Sequence, residues 1–121
     1  IGEWPKLVYD RMEFLEDGKI VISYITIEDN KNVNAELGDD EGLVEIERDI
    51  EGVEVAILLK EKENKNGFKI SLRSKENVNV ADICFLLGGG GHPRAAGCFI
   101  SGSLEQAKTK IIDAVKHQLE K

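Results

Sequence analysis

Apolar and polar positions along this chain follow two different periods, and the changes of period mark its elements. Leu7 to Leu15 and Lys19 to Ile27 are rich in β-branched and aromatic residues. Asp17-Gly18 between them tolerates positive φ, so the two stretches are predicted to form a hairpin. Asn30 to Asp40 is polar and reads as a loop. From Asp40 to Ile50 the spacing becomes helical: Leu43, Ile46, Glu47 and Ile50 share a face, acidic residues crowd the start, and Gly52 follows the end. Val53 to Lys60 is a nearly continuous apolar run, suited to a strand covered on both faces. After the Asn66-Gly67 turn, Phe68, Ile70 and Leu72 alternate with Lys69, Ser71 and Arg73 up to Ser74, which predicts a strand with one apolar and one polar face.

Asn79 is a good N-cap for a short helix whose inner stripe is Val80, Ile83, Cys84 and Leu87, with Gly88 placed to stop it. Ala95 to Ser101 returns as a strand. Ser103 with Gln106 three residues later forms a capping box, and Leu104, Ala107, Ile111, Val115 and Leu119 line the inner face of the last helix. The total is about five strands and three helices. The fold class that follows is α/β, a mixed, roughly five-stranded sheet packed with helices. At 121 residues the chain has the length of one domain, taken here as 1–121.

Composition narrows the picture. Apolar residues make up 41% and charged residues 32%, the balance of a globular chain. No apolar run approaches a membrane span, and no signal peptide or lipidation motif is evident, so no membrane partner is expected. The chain opens on Ile1 rather than Met, from which the expectation is that part of the gene product is absent or that its ends were trimmed. Two cysteines, Cys84 and Cys98, fall inside apolar patterns and read as reduced, buried residues of a cytoplasmic protein. The net charge of −7 argues against a broad nucleic-acid surface. Its distribution is uneven. Glu36 to Glu51 holds eight acidic residues and one basic one, and the cluster from about Asp39 to Glu51 reads as a solvated helix face. Lys69 to Arg94 reverses the balance, with Lys69, Arg73, Lys75 and Arg94 against Glu76 and Asp82. A small anionic ligand fits that segment.

The candidate chemistry lies in Gly88-Gly89-Gly90-Gly91-His92-Pro93-Arg94-Ala95-Ala96-Gly97. One glycine is enough to cap a helix, and each further one costs backbone entropy on folding. The excess points to a loop whose backbone comes close to a ligand, since bare N–H groups can cradle phosphate oxygens. His92 and Arg94 add side-chain donors, and arginine can grip a phosphate with two parallel hydrogen bonds. A Walker loop is excluded because no Gly-Lys-Ser/Thr is present. The dinucleotide fingerprint is excluded because Pro93 stands where its third glycine belongs and the order here is helix, loop, strand. A zinc site from Cys84, His92 and Cys98 lacks a paired Cys-x-x-Cys and a fourth ligand. His117 reads as a surface residue of the last helix.

GGGGHPRAAG, preceded by SLRSK at Ser71 to Lys75 and followed by the GSLEQAK helix, resembles the C-terminal DHH-associated domain of the DHH-family phosphoesterases. Glu41 to Leu59 is similar to the matching stretch of the bacterial oligoribonucleases of that family. The resemblance runs from about Met12 to the C-terminus. It implies a substrate-binding lobe, with Gly88, Gly89, Gly90, Gly91 and His92 over the catalytic cleft on the substrate's phosphate. Arg73 and Ser74 would contact the terminal nucleotide, and Arg94 would touch phosphate as well. The implied ligand is a short oligoribonucleotide or a nucleoside bisphosphate such as 3′-phosphoadenosine 5′-phosphate. The implied partner is a separate DHH catalytic domain holding two Mn2+ ions, which would activate water for in-line attack on phosphorus. This chain has no Asp-His-His run and only two histidines. No catalytic or metal-ligating residue is therefore assigned to it, and alone it is predicted to hydrolyse nothing. The competing readings are a cyclic-dinucleotide phosphodiesterase lobe, a tRNA-binding module related to the C-terminal region of alanyl-tRNA synthetase, and a plain structural domain. In the tRNA-binding module arginine typically follows the glycines, where His92 stands here, and the charge of −7 disfavours a tRNA surface.

Overall fold

A computed structural model describes residues 4–32 and 40–120 of the chain. In chain order the elements are α1 (Trp4–Asp10), β1 (Glu13–Leu15), β2 (Ile20–Ile25), α2 (Ile27–Asn32), α3 (Asp40–Arg48), β3 (Val55–Lys62), β4 (Gly67–Ser74), α4 (Val80–Leu86), β5 (Gly90–His92), β6 (Ala95–Ser101) and α5 (Leu104–Leu119). The strands form one mixed sheet in the order β1-β2-β3-β4-β6-β5, in which only β2 and β3 run parallel. A parallel pair needs a long crossover, and here it carries α2 and α3.

The predicted α/β class holds, with one more strand and two more helices than the periodicity implied. The first predicted strand is the largest departure. Leu7 to Asp10 lie in helix α1, and β1 keeps only three residues. Pro5 falls in the first turn of α1, where a missing N–H leaves no bond unmade. Val8, one turn further on, is fully buried. The hairpin itself exists, as Leu15 pairs with Ile20 across a four-residue loop in which Glu16, Asp17 and Gly18 all have positive φ. Ile27 and Asn30 belong to α2, whose start is held by a reciprocal pair: Thr26 N–H donates to Asp29 Oδ2 at 2.6 Å, and Asp29 N–H to Thr26 Oγ1 at 3.1 Å. Lys31 and Asn32 of the predicted Asn30 to Asp40 loop also lie in α2, residues 33–39 lie outside the described residues, and α3 begins at Asp40.

Apolar side chains sort onto the two faces of the sheet. On one face Ile57, Leu59, Phe68, Ile70, Leu72, Ala96 and Cys98 meet Val80, Ile83 and Cys84 of α4 and Ala107, Ile111 and Val115 of α5. On the other, Val21, Ile25, Ala56 and Leu58 meet Val8 of α1 and Leu43 and Val44 of α3. Strand β3 lies between them and is buried from Val55 to Leu59, as its unbroken apolar run requires. The second cover lies over β2 and β3 and reaches the Arg73 end of β4, where α3 packs. Helix ends follow local chemistry. The Asn79 side chain accepts from Asp82 N–H, and Ser103 and Gln106 close a full capping box. Cys84 and Cys98 are both buried and reduced, and share a hydrogen bond that, with burial, pushes the Cys84 thiol above its ordinary range.

The acidic face of α3 is not wholly solvated. Ile46 points outward, whereas Glu47 is 1% exposed on the inner face beside Leu43 and Val44. Ser23 Oγ donates to Glu47 Oε2 at 2.7 Å, and Oε1 has no partner. Burial pushes this carboxyl up to about 7, with the Ser23 hydrogen bond pulling the other way. The unfolded chain releases the same proton near 4.5. Between those values the folded protein holds a proton that the unfolded chain has lost, so stability falls as pH rises through the window. The loss amounts to roughly 3 kcal/mol at about 1.4 kcal/mol per unit. Urea denaturation of Glu47→Gln at pH 5 and pH 8 is expected to lack that decline, leaving the variant about 2–3 kcal/mol more resistant than the parent at pH 8 relative to pH 5. Parallel pH profiles for the two proteins would show that Glu47 is ionised in its buried position.

Candidate functional site

Strand β4 carries the polar row that its alternation predicted. Lys69 pairs with Phe99, Ser71 with Gly97 and Arg73 with Ala95. Gly97 and Ala95 in turn pair with Gly90 and His92 of the edge strand β5. Directly paired residues point to the same side of a sheet, so these side chains share one face. It is the face whose β2–β3 half lies under α1 and α3. Beyond that cover is a groove of about 250 Å³, lined by Lys69, Ser71 and Arg73 from β4, Gly90 and Gly91 from β5, and Ala95, Ala96 and Gly97 from β6.

Ser71 and Arg73 form a sunken floor and are nearly buried, while Lys69 is exposed at one end. The Arg73 guanidinium is held from α3: its Nε donates to Glu45 Oε2 at 3.5 Å, and Nη1 to the carbonyl of Leu72 at 3.1 Å. Glu45 is half exposed, so this long ion pair contributes little, and an anion entering the groove can compete with it. Small residues at 95 and 97, opposite Arg73 and Ser71, leave the space above the cations open. Two cationic side chains beside glycine backbone are groups of the kind that can take a phosphate.

The four glycines divide by task. Gly88, at φ +90°, ends α4. Its N–H bonds to Phe85 O and that of Gly89 to Cys84 O, the paired bonds of a Schellman cap. Gly89 and Gly91 are demanded by close approach to β6: a Cβ on Gly89 would collide with the carbonyl oxygen of Gly97, and one on Gly91 would stand 2.6 Å from Ala96 Cα. Gly90, like Gly88, has open space where a side chain would go, and of the two it is Gly90 that lines the groove. The run read as a loop is therefore a cap followed by a short strand.

Of the residues singled out in the sequence, the groove gathers Arg73, Gly90 and Gly91, with exposed His92 on the same face by register. Gly88 and Gly89 stand behind it as cap and wedge. Ser74 is buried, and Arg94, though exposed, reaches back to it. Arg94 Nη1 donates to Ser74 Oγ at 3.1 Å and to Val78 O at 2.7 Å, and Ser74 Oγ donates to Val78 O at 2.7 Å. Pro93 O accepts from Val80 N–H at 2.9 Å, so the 93–94 turn is clamped to the start of α4. Ser71 was given no site role, although the β4 alternation marked it; Lys69 entered through the charge balance of residues 69–94, and Gly97 as part of the glycine-rich segment. Among the described residues no group of three or more His, Cys, Asp or Glu side chains is arranged to hold a metal ion. Among them, too, no helix is long and apolar enough to cross a membrane.

Comparison with known proteins bears on the family and the fold. The family model described as the DHHA1 domain matches residues 17–121. The bifunctional oligoribonuclease and PAP phosphatase NrnA of Thermus thermophilus is 38% identical over 82 residues, which is 67% of this chain and 25% of that protein. An exopolyphosphatase-related protein from Bacteroides fragilis superposes with a TM-score of 0.83 at 27% identity, over 93% of this chain and 33% of its own. The pGpG-specific phosphodiesterase PggH from Vibrio cholerae shares the fold, with a TM-score of 0.60 at 15% identity over 90% of this chain and 36% of its own. The chain thus spans a quarter to about a third of these relatives. It belongs to the DHHA1 domain family, the companion domain of the DHH phosphoesterases.

Proposed function

We propose that this chain is the nucleotide-recognising lobe of a phosphoesterase that acts on short oligoribonucleotides or 3′-phosphoadenosine 5′-phosphate. The observation that carries the reading is the Lys69–Ser71–Arg73 row under the open Gly90–Gly91 edge, a cationic groove on a chain of net charge −7. The oligoribonuclease and PAP phosphatase from Thermus, 38% identical, supports the choice of substrate. In this reading a DHH domain outside the chain holds two Mn2+ ions and supplies the attacking water, while the groove fixes the phosphate and sugar. The chain by itself would bind and not hydrolyse. A cytoplasmic location accords with nucleotide substrates and with the reduced cysteines.

Half a site binds weakly, so affinity for 3′-phosphoadenosine 5′-phosphate is expected at roughly millimolar Kd. In an NMR titration the amide shifts should concentrate at Lys69, Ser71, Arg73, Gly90 and Gly91. Arg73→Ala should weaken binding by about tenfold or more, the worth of a charge-assisted hydrogen bond. Shifts spread over α4 and α5, or indifference to Arg73→Ala, would contradict the assignment.

The glycine run supplies a second check that separates folding from binding. Gly89→Ala should destabilise by roughly 1–3 kcal/mol, because its methyl overlaps β6 backbone. Gly90→Ala should leave stability within about 0.5 kcal/mol, as expected for a substitution into open space, yet reduce binding severalfold by narrowing the groove. Thermal melts and the same titration read both. Equal losses of stability in the two variants would mean that Gly90 serves the hairpin alone.

A further inference from the structure

We infer that the groove continues into a second subsite, formed by Lys62, Lys65, Lys69 and Phe99, which takes the neighbouring nucleotide of a single-stranded oligonucleotide. This rests on the reading of the groove above and extends it from one nucleotide to a strand. Lys62, Lys65 and Lys69 line a separate cleft of about 630 Å³ together with Cys98 and Phe99. Lys69 belongs to both spaces, and its partner Phe99 stands on the same face. Lys62 pairs with Gly67, two positions before Lys69 on β4, and so lies in the same row. The two spaces meet along β4. From Arg73 to Lys69 the strand covers about 13 Å, longer than one phosphate group needs.

Three features fit a nucleic-acid strand. Among the described residues the two linings hold Lys62, Lys65, Lys69 and Arg73, with Glu45 reaching the Arg73 end from α3, on a chain that is strongly acidic elsewhere. Such a local reversal favours a polyanion along this track over the rest of the surface. Phe99 is 40% exposed on a strand whose flanking residues Cys98 and Ile100 are buried. Its ring lies over Gly67, where a Cβ would stand 2.5 Å from Cζ, so the missing side chain seats the ring against the sheet. A seated, half-exposed aromatic among lysines is the combination by which single strands are held, base on ring and phosphate on cation. Lys65, in the β3–β4 turn, and Lys62, at the end of β3, are placed to meet the phosphates on either side of that base.

The test compares affinity for adenosine 3′,5′-bisphosphate with that for the 5′-phosphorylated adenylate trimer, by calorimetry or NMR at fixed salt. The parent chain should bind the trimer about tenfold or more tightly than the bisphosphate. In Phe99→Ala, and separately in Lys62→Gln/Lys65→Gln, that gain should fall to about twofold while the bisphosphate constant stays within about twofold of the parent. The lysine pair should also lower the salt dependence of trimer binding by a slope of about 1. Unchanged melting curves show that the exposed substitutions leave the fold intact. Equal affinity for the two ligands in the parent, or a gain that survives both variants, overturns the second subsite while the groove reading stands. Failure of the bisphosphate to bind at Arg73 overturns the groove reading and the subsite with it.

Discussion

The parallel pairing of β2 with β3 imposes a crossover, and that crossover lays α3 over one half of a sheet face. The groove follows from this partial cover. The opposite face is sealed by α4 and α5, which meet the inner residues of β3, β4 and β6. Strand β4 thus has its apolar row, Phe68, Ile70 and Leu72, fully committed to the core. Its other row is released from that duty, and Lys69, Ser71 and Arg73 occupy it. Burial on one side and chemistry on the other is the ordinary use of period-two alternation. The rigidity that the core gives to β4 is what holds the cations in register, since each groove side chain springs from a strand whose neighbours on both sides are hydrogen-bonded.

The glycine segment is the second wall, and its position is set by packing. The Schellman cap at Gly88 turns the chain out of α4, and Gly89 and Gly91 allow it to press against β6. The turn is then fixed by Arg94, which reaches back to Ser74 Oγ and Val78 O, and by the bond from Val80 N–H to Pro93 O. Ser74 and Arg94 therefore act as positioning residues for the wall. A site built this way is preorganised before a ligand arrives, which reduces the ordering cost of binding.

Legibility from sequence followed the range of the interaction. Asn79, Ser103 and Gln106 were read correctly as caps because their partners lie three residues away. The strands β3, β4 and β6 were legible because alternation or an unbroken apolar run states how many faces are covered. Helix α1 was not, because a seven-residue segment with one buried valine satisfies a strand pattern as easily as a helical one. Strand β5 was hidden by glycine, which carries no period and pairs only because β6 lies beside it. Glu47 looked solvated because its partner, Ser23, is twenty-four positions away on another strand. At the site, the Arg73 row was visible in the alternation. The pairing of Ser74 with Arg94 depended on contacts some twenty positions apart, which no local pattern displays.

The most direct measurement is a crystal structure of the chain with 3′-phosphoadenosine 5′-phosphate bound. The account predicts a phosphate within hydrogen-bond distance of the Arg73 guanidinium, lying against the Gly90–Gly91 backbone, with Glu45 displaced from Arg73. A ligand seated instead on the α4–α5 side of the sheet, or an ordered ligand leaving the Arg73–Glu45 pair untouched, would contradict it.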